Sequence, residues 1–257
     1  MLRMMALLSA LLLFSAHAVE IESAAYEYKI GDEVYEGFIA RPKEAKDAPG
    51  VLVVHDWMGQ GAFSNERATE LAKLGYVAFA VDVYGKGKRG KTPQEAGALA
   101  KPFREDRKLY RDRMNAALAE LLKQPGVNPK KVGAMGFCFG GTAVLELARS
   151  GADVAGVISF HGGLGSPTPE DGKNIKAKVL VLHGNLDPHV PPDEVGKFMK
   201  EMNDAKVWYR FVGYPNSVHA FTNPAAGNDL SKGAAYNAEV AAQAYEEMKA
   251  FYASIFK

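Results

Sequence analysis

Short runs of uniformly apolar residues recur along the chain. Strands covered on both faces have this character, because neither set of alternating side chains meets water. The runs lie at 51–54, 77–81, 132–135, 156–160 and 179–182, with a further strand pattern at 207–212. Helical patterns separate most of them, at 62–74, 107–122, 142–149, 192–202 and 235–255. This alternation predicts an α/β fold with a mostly parallel, doubly wound sheet and helices on both faces.

The amino-terminal part of the pattern is different. Residues 26–30 and 34–41 alternate between apolar and polar side chains, and Gly31 and Asp32 between them form a hairpin turn signal. We therefore expect an antiparallel hairpin at one edge of the sheet. The linkers are short and no internal repeat is present, so residues 19–257 are predicted to form one domain.

The start of the chain has the composition of a secretory signal peptide. Arg3 precedes an apolar run at 4–14, and Ala16, His17 and Ala18 give the small-x-small pattern of a cleavage site. We predict a signal peptide at residues 1–18, cleaved after Ala18, and a periplasmic or secreted location. An uncleaved membrane anchor is the alternative.

The charge balance and the single cysteine limit the kinds of partner and chemistry that the chain is expected to have. The chain carries 31 basic and 30 acidic side chains, and loss of Arg3 with the signal peptide would make it formally neutral. This balance argues against nucleic acid as a partner and gives no support for binding to a membrane surface. A single cysteine cannot form an intramolecular disulfide. It is therefore a buried apolar residue, a link between chains or a reactive thiol.

Polar side chains follow the apolar runs at the points where the predicted strands end. In open α/β sheets the ligand crevice lies outside the carboxyl ends of the strands. We therefore expect the functional site at this end of the sheet. The residues found there are His55, Asp56, Asp82, Cys138, His161, His183, Asp187 and His219.

The cysteine lies in the sequence GFCFGG at 136–141. Gly136-x-Cys138-x-Gly140 has the form of the nucleophile elbow G-x-S-x-G, with sulfur in place of oxygen, between a predicted strand and a predicted helix. The elbow needs glycines because larger side chains would collide with backbone around the sharp turn. A helix amino terminus next to sulfur also stabilises negative charge on it. This position favours a nucleophile over an inert buried thiol.

An elbow of this kind is followed along the chain by an acid and then by a histidine. Cys138, Asp187 and His219 occur in that order, the last two in loops after predicted strands. The carboxylate would orient the imidazole, which would exchange protons with the thiol, the leaving group and water. Asp187 could instead serve only as a turn residue before Pro188, and His189 is too close in sequence to Asp187 to be the preferred partner.

A metal site is the alternative use of the remaining histidines. His55, His161 and His183 could join Asp56 around a cation, but none has the i, i+4 spacing of a helical zinc pair. We therefore predict no metal and no cofactor.

The chain resembles the dienelactone hydrolases, the carboxymethylenebutenolidase-like members of the α/β-hydrolase fold, over nearly its whole mature length. The motifs that carry the resemblance are GFCFGG, VLHGNLDPHVP at 181–191 and VHAFTNP at 218–224, and HDWMG at 55–59 and SFHGG at 159–163 are similar to a secreted branch of the family.

The resemblance implies that Cys138, Asp187 and His219 form a catalytic triad. It also implies an oxyanion hole made by the backbone amides of Trp57 and Phe139, the second of which agrees with the elbow rule. Asp56 falls where relatives place a glutamate that contacts the resting thiol, with a loop or helix-capping role as the alternative.

The resemblance is less complete for substrate recognition. Where relatives that open dienelactone hold the substrate carboxylate with two arginines, this chain has Lys86 and Asn223. Lysine lacks the bidentate fork and asparagine is uncharged, so recognition should differ. Further candidates for the substrate pocket, or for packing beneath it, are Trp57, Phe137, Phe139, Phe160, His161 and Phe221.

Together these features predict a hydrolase that cleaves a small-molecule ester, lactone or thioester through an acyl-enzyme on Cys138. A peptidase or acyltransferase with the same triad, a non-catalytic lactone-binding protein and a thiol redox protein are the alternatives. A redox sensor would usually have a second, resolving cysteine, which this chain lacks. We expect no nucleic-acid partner, no membrane contact after cleavage, and a monomer as the favoured state.

Overall fold

The computed structural model describes residues 19–257, and the signal peptide predicted at 1–18 lies outside them. The strands are β1 (Ile21–Ile30), β2 (Glu33–Pro42), β3 (Ala48–Val54), β4 (Val77–Val81), β5 (Val127–Phe137), β6 (Gly156–Phe160), β7 (Lys178–Gly184) and β8 (Tyr209–Tyr214). The α-helices are α1 (Ala62–Lys73), α2 (Pro93–Glu105), α3 (Arg107–Leu122), α4 (Phe139–Arg149), α5 (Pro192–Asp204) and α6 (Ala238–Ile255).

All eight strands join one sheet in the order β1-β2-β4-β3-β5-β6-β7-β8. Strand β1 pairs antiparallel with β2, and β2 pairs antiparallel with β4, while every pairing from β4 to β8 is parallel. The β1–β2 turn contains Gly31 at φ +60°, a backbone conformation that glycine adopts without steric cost. The predicted α/β fold, with an antiparallel hairpin at the edge of a mostly parallel sheet, is therefore confirmed.

Two hydrophobic clusters cover the two faces of the sheet. Helices α1 and α6 pack on one face and helices α2 to α5 on the other. Along β3, Leu52 and Val54 belong to one cluster and Val51 and Val53 to the other. Both sets of alternating side chains are buried, which explains why the central strands are apolar at every position.

Helix α2 is not among the elements predicted from the sequence. Gly97 and Pro102 interrupt its apolar pattern, and both residues are unfavourable inside helices. The helix nevertheless begins at a good cap, where the Thr92 hydroxyl accepts a hydrogen bond from the Glu95 amide at 3.2 Å. Burial of Ala96, Ala100 and Phe103 holds it beside α3 in the hydrophobic cluster on its face of the sheet. Tertiary packing therefore outweighs local propensity here.

The parallel strands direct their carboxyl ends toward one edge of the molecule, and the polar residues singled out above lie at the ends of β3 to β8 or in the loops that follow them. Within residues 19–257 no helix has both the length and the apolar character needed to cross a membrane.

Candidate active site

A cavity of about 710 Å³ opens at the carboxyl ends of the strands. Cys138 and His219 both line it, together with the oxyanion-hole candidates Trp57 and Phe139. Most of its surface is apolar, which suits a small organic ligand held by few polar groups. The strand-end rule therefore located the cavity correctly from the sequence.

Cys138 occupies a strained turn between β5 and α4. Its backbone has φ +54° and ψ −113°, a conformation that residues with a side chain rarely adopt. Its amide donates to the Phe160 carbonyl at 3.0 Å and lies 3.2 Å from Nδ1 of His161. A Cβ on Gly140 would lie 2.6 Å from the His55 carbonyl oxygen, so only glycine fits there. The local backbone is that of a nucleophile elbow.

Asp187 and His219 form a close pair beside this turn. His219 Nδ1 lies 2.7 Å from Oδ2 of Asp187, whose side chain is fully buried. The other carboxylate oxygen of Asp187 accepts from the His189 amide at 2.8 Å. Because both oxygens are engaged, the carboxylate is fixed and His219 presents Nε2 as its remaining nitrogen.

The surroundings of His219 favour its protonated form. Burial is the largest single influence and lowers the pKa, but the negative charge and hydrogen bond of Cys138 and the carboxylate of Asp187 together raise it to about 10. Cys138 and His219 line the same cavity, and the charge of the cysteine acts on the imidazole.

The loop that carries His219 is anchored at both sides of the residue. The His219 amide donates to the Gly233 carbonyl at 3.2 Å, and the Ala235 amide donates to the His219 carbonyl at 3.0 Å. These bonds form a short parallel bridge between His219 and Ala234. The histidine therefore sits on a backbone tied to the segment just before α6, although it lies outside any strand.

The two backbone amides predicted as oxyanion donors belong to residues that line the cavity. Phe139 is the first residue of α4, a position whose amide has no partner within its helix. In the loop after β3, the Met58 amide donates to Asp56 Oδ1 at 2.8 Å and the Gly59 amide to the Asp56 carbonyl at 3.2 Å. Among the described residues no acceptor is found for the Trp57 amide between them. Both predicted donors thus remain available to a ligand.

The buried His55 contacts both of the segments that carry these amides. Its Nδ1 lies 2.5 Å from the Asp56 carbonyl oxygen and its Nε2 accepts from the Val83 amide at 3.2 Å. The imidazole ring stacks on the Phe139 ring with a centroid distance of 5.6 Å. Burial lowers the pKa of His55, so the ring remains neutral and donates from Nδ1.

His161 is also a buried, neutral histidine. Burial lowers its pKa well below the usual range, and the charge of nearby His219 lowers it further. Because Nδ1 accepts from the Cys138 amide, Nε2 carries the hydrogen and donates to Thr222 Oγ1 at 2.8 Å. His161 lines the cavity, but it holds the backbone of the elbow.

Two of the three histidines considered as metal ligands are engaged within the protein. Both ring nitrogens of His55 and of His161 are hydrogen-bonded, whereas the buried Nδ1 of His183 has no hydrogen-bond partner among the described residues. In the part of the chain that the structure describes, no cluster of three or more histidine, cysteine or acidic side chains is arranged to hold a metal ion.

Asp56 lines the cavity but does not make the thiol contact that the resemblance implied. Its Oδ1 accepts from Met58 and its Oδ2 accepts from Asn223 Nδ2 at 3.2 Å. Within residues 19–257 it makes no hydrogen bond to the Cys138 sulfur. Its short side chain is held back by its own loop, and Asn223 takes up the second oxygen. Asp56 and Asn223 thereby join the loop after β3 to the loop that carries His219.

The other predicted substrate-binding residues divide into two groups. Phe160 and Phe221 are fully buried and pack beneath the cavity, as the second of the two sequence alternatives proposed. Lys86 lies outside the cavity, where its ammonium group pairs with Glu27 and with Glu36, the latter at 3.4 Å. Since both acids come from the hairpin, the charge of Lys86 is directed away from the site.

Sequence reasoning did not identify several residues that line the cavity. They are Met58, Phe63, Arg104, Arg107, Tyr110, Thr142, His189, Val190 and Glu194. Two of them, Arg104 and Arg107, lie at the junction of α2 and α3, which the sequence pattern did not link to the strand ends. The three basic residues among the five at 104–108, which flank two acids, were the signal available in the sequence.

Comparison with known proteins agrees with this geometry. The family model described as the dienelactone hydrolase family matches residues 35–256. The protein usf of Aquifex pyrophilus is 35% identical over 191 residues, which cover 73% of this chain and 81% of that protein.

Solved structures give the same result. A dienelactone hydrolase-like promiscuous phosphotriesterase from metagenomic libraries superposes with a TM-score of 0.88 at 34% identity, covering 92% of this chain and 99% of that one. The fold is also that of a dienelactone hydrolase from Anabaena variabilis, with a TM-score of 0.62 at 23% identity and 82% and 92% of the two chains covered. The chain therefore belongs to the dienelactone hydrolase family and is a hydrolase of the carboxylic ester and lactone class.

Proposed function

We propose that this protein hydrolyses its ester or lactone substrate through a covalent acyl-enzyme on Cys138. The observation that carries the proposal is the convergence of three features at one cavity. Cys138 lies at a strained elbow, His219 lines the same cavity, and Asp187 binds Nδ1 of its imidazole. This arrangement has the roles required of a nucleophile, a proton carrier and an orienting acid.

In the first half of the reaction the Cys138 thiolate attacks the carbonyl carbon. A carbon–sulfur bond forms, and the carbonyl π electrons move to oxygen, where the amides of Trp57 and Phe139 stabilise the charge. The oxyanion then collapses and the carbon–oxygen bond to the leaving alcohol breaks. His219 gives its proton to that departing oxygen, leaving a thioester on Cys138 and a neutral imidazole.

In the second half water replaces the alcohol. Neutral His219 takes a proton from water as its oxygen attacks the thioester carbonyl, and the same two amides stabilise the second oxyanion. The carbon–sulfur bond breaks, the electron pair returns to sulfur, and the acid is released. Thiolate and imidazolium are then restored. With a lactone, the released alcohol stays attached to the acid as a single open-chain product.

The interaction between Cys138 and His219 gives the histidine both of its roles. A negatively charged sulfur raises the pKa of His219, so the imidazole holds a proton when the alcohol must leave. Once sulfur is acylated it has no charge, and that contribution disappears. The pKa then falls because burial opposes the protonated form, and the imidazole becomes a base for water.

Asp187 supports both halves by fixing the tautomer. Its carboxylate accepts from Nδ1, so the proton that moves during catalysis resides on Nε2. Its own position is fixed by the His189 amide. It therefore acts through His219 and needs no contact with the substrate.

Hydrolysis of p-nitrophenyl acetate and of cis-dienelactone by the purified mature chain tests this proposal. Cys138→Ala and His219→Ala should abolish turnover, and mass spectrometry of the wild type should detect the mass of one acyl group on Cys138. Cys138→Ser is the matched control, because it preserves the shape of the nucleophile while changing its acidity. Turnover that survives in Cys138→Ala would contradict the mechanism.

The same assays separate the alternatives. Cleavage of amide substrates would favour a peptidase, and transfer of the acyl group to an added alcohol would favour an acyltransferase. Binding of a lactone without turnover would favour a binding protein. Oxidation of Cys138 without acylation would favour a redox role. The 34% identity to a promiscuous phosphotriesterase supports testing a phosphotriester such as paraoxon as an additional substrate.

We also propose that the protein is exported. Arg3, the apolar run at 4–14 and the Ala16–Ala18 cleavage pattern support this location. Expression of the full chain in a Gram-negative host should yield periplasmic protein whose amino-terminal residue is Val19. Ala18→Arg should block cleavage, whereas recovery of wild type in the cytoplasm with the leader intact would contradict export.

A further inference from the structure

Two arginines in the cavity differ from the other arginines that the structure describes. The described part of the chain contains nine arginines, and seven of them have a carboxylate oxygen within 4.0 Å. The two without such a partner are Arg104 and Arg107. Both line the cavity that holds Cys138.

The acids nearest in sequence do not neutralise this pair. Asp106 lies between the two arginines, but its Oδ1 accepts from the amides of Lys108 at 2.9 Å and Leu109 at 3.3 Å, where it caps α3. Glu105 faces Lys101 at 3.7 Å. The end of α2 and the start of α3 therefore present two guanidinium groups while their own acids are engaged elsewhere.

Arg107 is partly buried against the aromatic wall of the cavity. Its Nε is buried and has no hydrogen-bond partner among the described residues, and its guanidinium carbon lies 5.8 Å from the centre of the Tyr110 ring. Tyr110 in turn packs against Phe139 with a ring-centroid distance of 4.8 Å. Arg107 thus lies beside the aromatic side chains that pack around Phe139, one of the predicted oxyanion donors.

The acids that line the cavity are also engaged. Asp56 accepts from Met58 and Asn223, and Glu194 Oε1 accepts from the amides of Leu164 at 2.6 Å and Gly165 at 2.9 Å. Neither carboxylate is within ion-pair distance of the arginines. A partly buried guanidinium with a free donor is costly to leave unpaired, and a ligand anion would satisfy it.

We propose that Arg104 and Arg107 bind an anionic group on the substrate, so that the preferred substrate is an ester or lactone carrying a carboxylate or a phosphate. This inference rests on the proposed ester hydrolysis. It places the anion at the α2–α3 junction and not at Lys86 or Asn223, which are occupied by Glu27, Glu36 and Asp56.

Matched esters test the preference. Mono-p-nitrophenyl adipate carries a carboxylate, its methyl ester is the neutral counterpart, and p-nitrophenyl 5-phosphonopentanoate carries the phosphate-like anion. We expect kcat/KM of the wild type to be at least about tenfold higher for an anionic ester than for the neutral one, and this ratio to fall with added salt. Comparison of the two anions decides between carboxylate and phosphate.

Substitution of the pair should remove the preference. In Arg104→Gln/Arg107→Gln the anionic-to-neutral ratio should fall about tenfold, mainly through KM. Arg107→Lys should lose part of it, because lysine keeps the charge but not the fork. Arg210→Gln, at an exposed arginine paired with Glu247, should leave the ratio unchanged. A wild type without preference, or a ratio that survives the double substitution, would overturn the inference.

Binding provides a measurement that does not depend on turnover. In the Cys138→Ala background, calorimetry should detect adipate but not dimethyl adipate, and the double arginine variant should lose adipate binding. If no ester is hydrolysed, the proposed function fails while this experiment still decides the anion site. Absence of adipate and 5-phosphonopentanoate binding in Cys138→Ala, with a native circular dichroism spectrum, would refute it.

Discussion

The Nδ1 atom of His219 lies 2.7 Å from the Oδ2 atom of Asp187, whose side chain is fully buried. The contact leaves Nε2 as the nitrogen that can exchange protons. In the proposed mechanism Asp187 therefore acts through the orientation and protonation of His219.

Asp187→Asn should therefore slow hydrolysis without abolishing substrate binding. An amide no longer selects the required tautomer, and we expect kcat to fall by about 10²- to 10⁴-fold. KM for p-nitrophenyl acetate should change much less. Asp153→Asn, at an exposed loop aspartate, is the matched control and should retain full activity. A kcat within a factor of about two of wild type would contradict the orienting role.

The pH profile should reflect the raised pKa of His219. In the proposed mechanism protonated His219 releases the alcohol, and a pKa of about 10 keeps that form populated through neutral pH. We therefore expect kcat/KM to stay constant as the pH rises past 7 and to fall as the pH passes about 10, where His219 loses its proton. Stopped-flow assays, in which the enzyme meets alkali only briefly, measure this alkaline decrease in kcat/KM.

Nuclear magnetic resonance of the imidazole tests the cause of that profile. In Cys138→Ala the sulfur charge and its hydrogen bond are absent, so the pKa of His219 should move downward. His219 titrating at the same pH in both proteins would show that Asp187 alone holds the proton.

Gly140→Ala should both unfold more easily and lose activity. The new methyl group would meet the carbonyl oxygens of Val54 and His55 where β3 passes the elbow, and we expect a loss of about 3 kcal/mol in the free energy of unfolding. Gly97→Ala is the matched control, because open space surrounds that position in α2 and alanine favours helices by up to about 1 kcal/mol. Urea denaturation should show a lower free energy of unfolding for Gly140→Ala and a higher one for Gly97→Ala.

Glu201→Ala should destabilise the fold at a distance from the cavity. The fully buried guanidinium of Arg149 donates to both carboxylate oxygens of Glu201, at 2.8 and 2.7 Å. Removing that carboxylate leaves a buried cation with reduced compensation, at a cost of about 3–5 kcal/mol. Glu246→Ala, in an exposed pair with Lys249, should cost no more than about 0.5 kcal/mol in the same thermal or urea assay.

The sequence was sufficient to predict the framework of the site because its signals are local. Apolar runs mark buried strands, strand ends mark the crevice, and the spacing of Gly136, Cys138 and Gly140 marks the elbow. The order of Asp187 and His219 along the chain completes the predicted triad. Each of these signals can be recognised without knowing which distant residues touch.

The remaining features depend on contacts between distant residues. Lys86 pairs with Glu27, 59 residues away, and Asp56 pairs with Asn223, 167 residues away. Neither pairing leaves a periodic pattern in the sequence. Helix α2 forms because its apolar side is buried, despite Gly97 and Pro102, and only its packing brings Arg104 to the cavity.

The position of Cys138 also has a practical consequence. It is the only cysteine in the chain, and it lies at a cavity open to small molecules. A single equivalent of an alkylating reagent would therefore count functional sites directly, with no competing sulfhydryl to mask or mutate. A fluorine or nitroxide label introduced in this way would report on the environment of the cavity without any prior substitution, and it would at the same time block the proposed nucleophile.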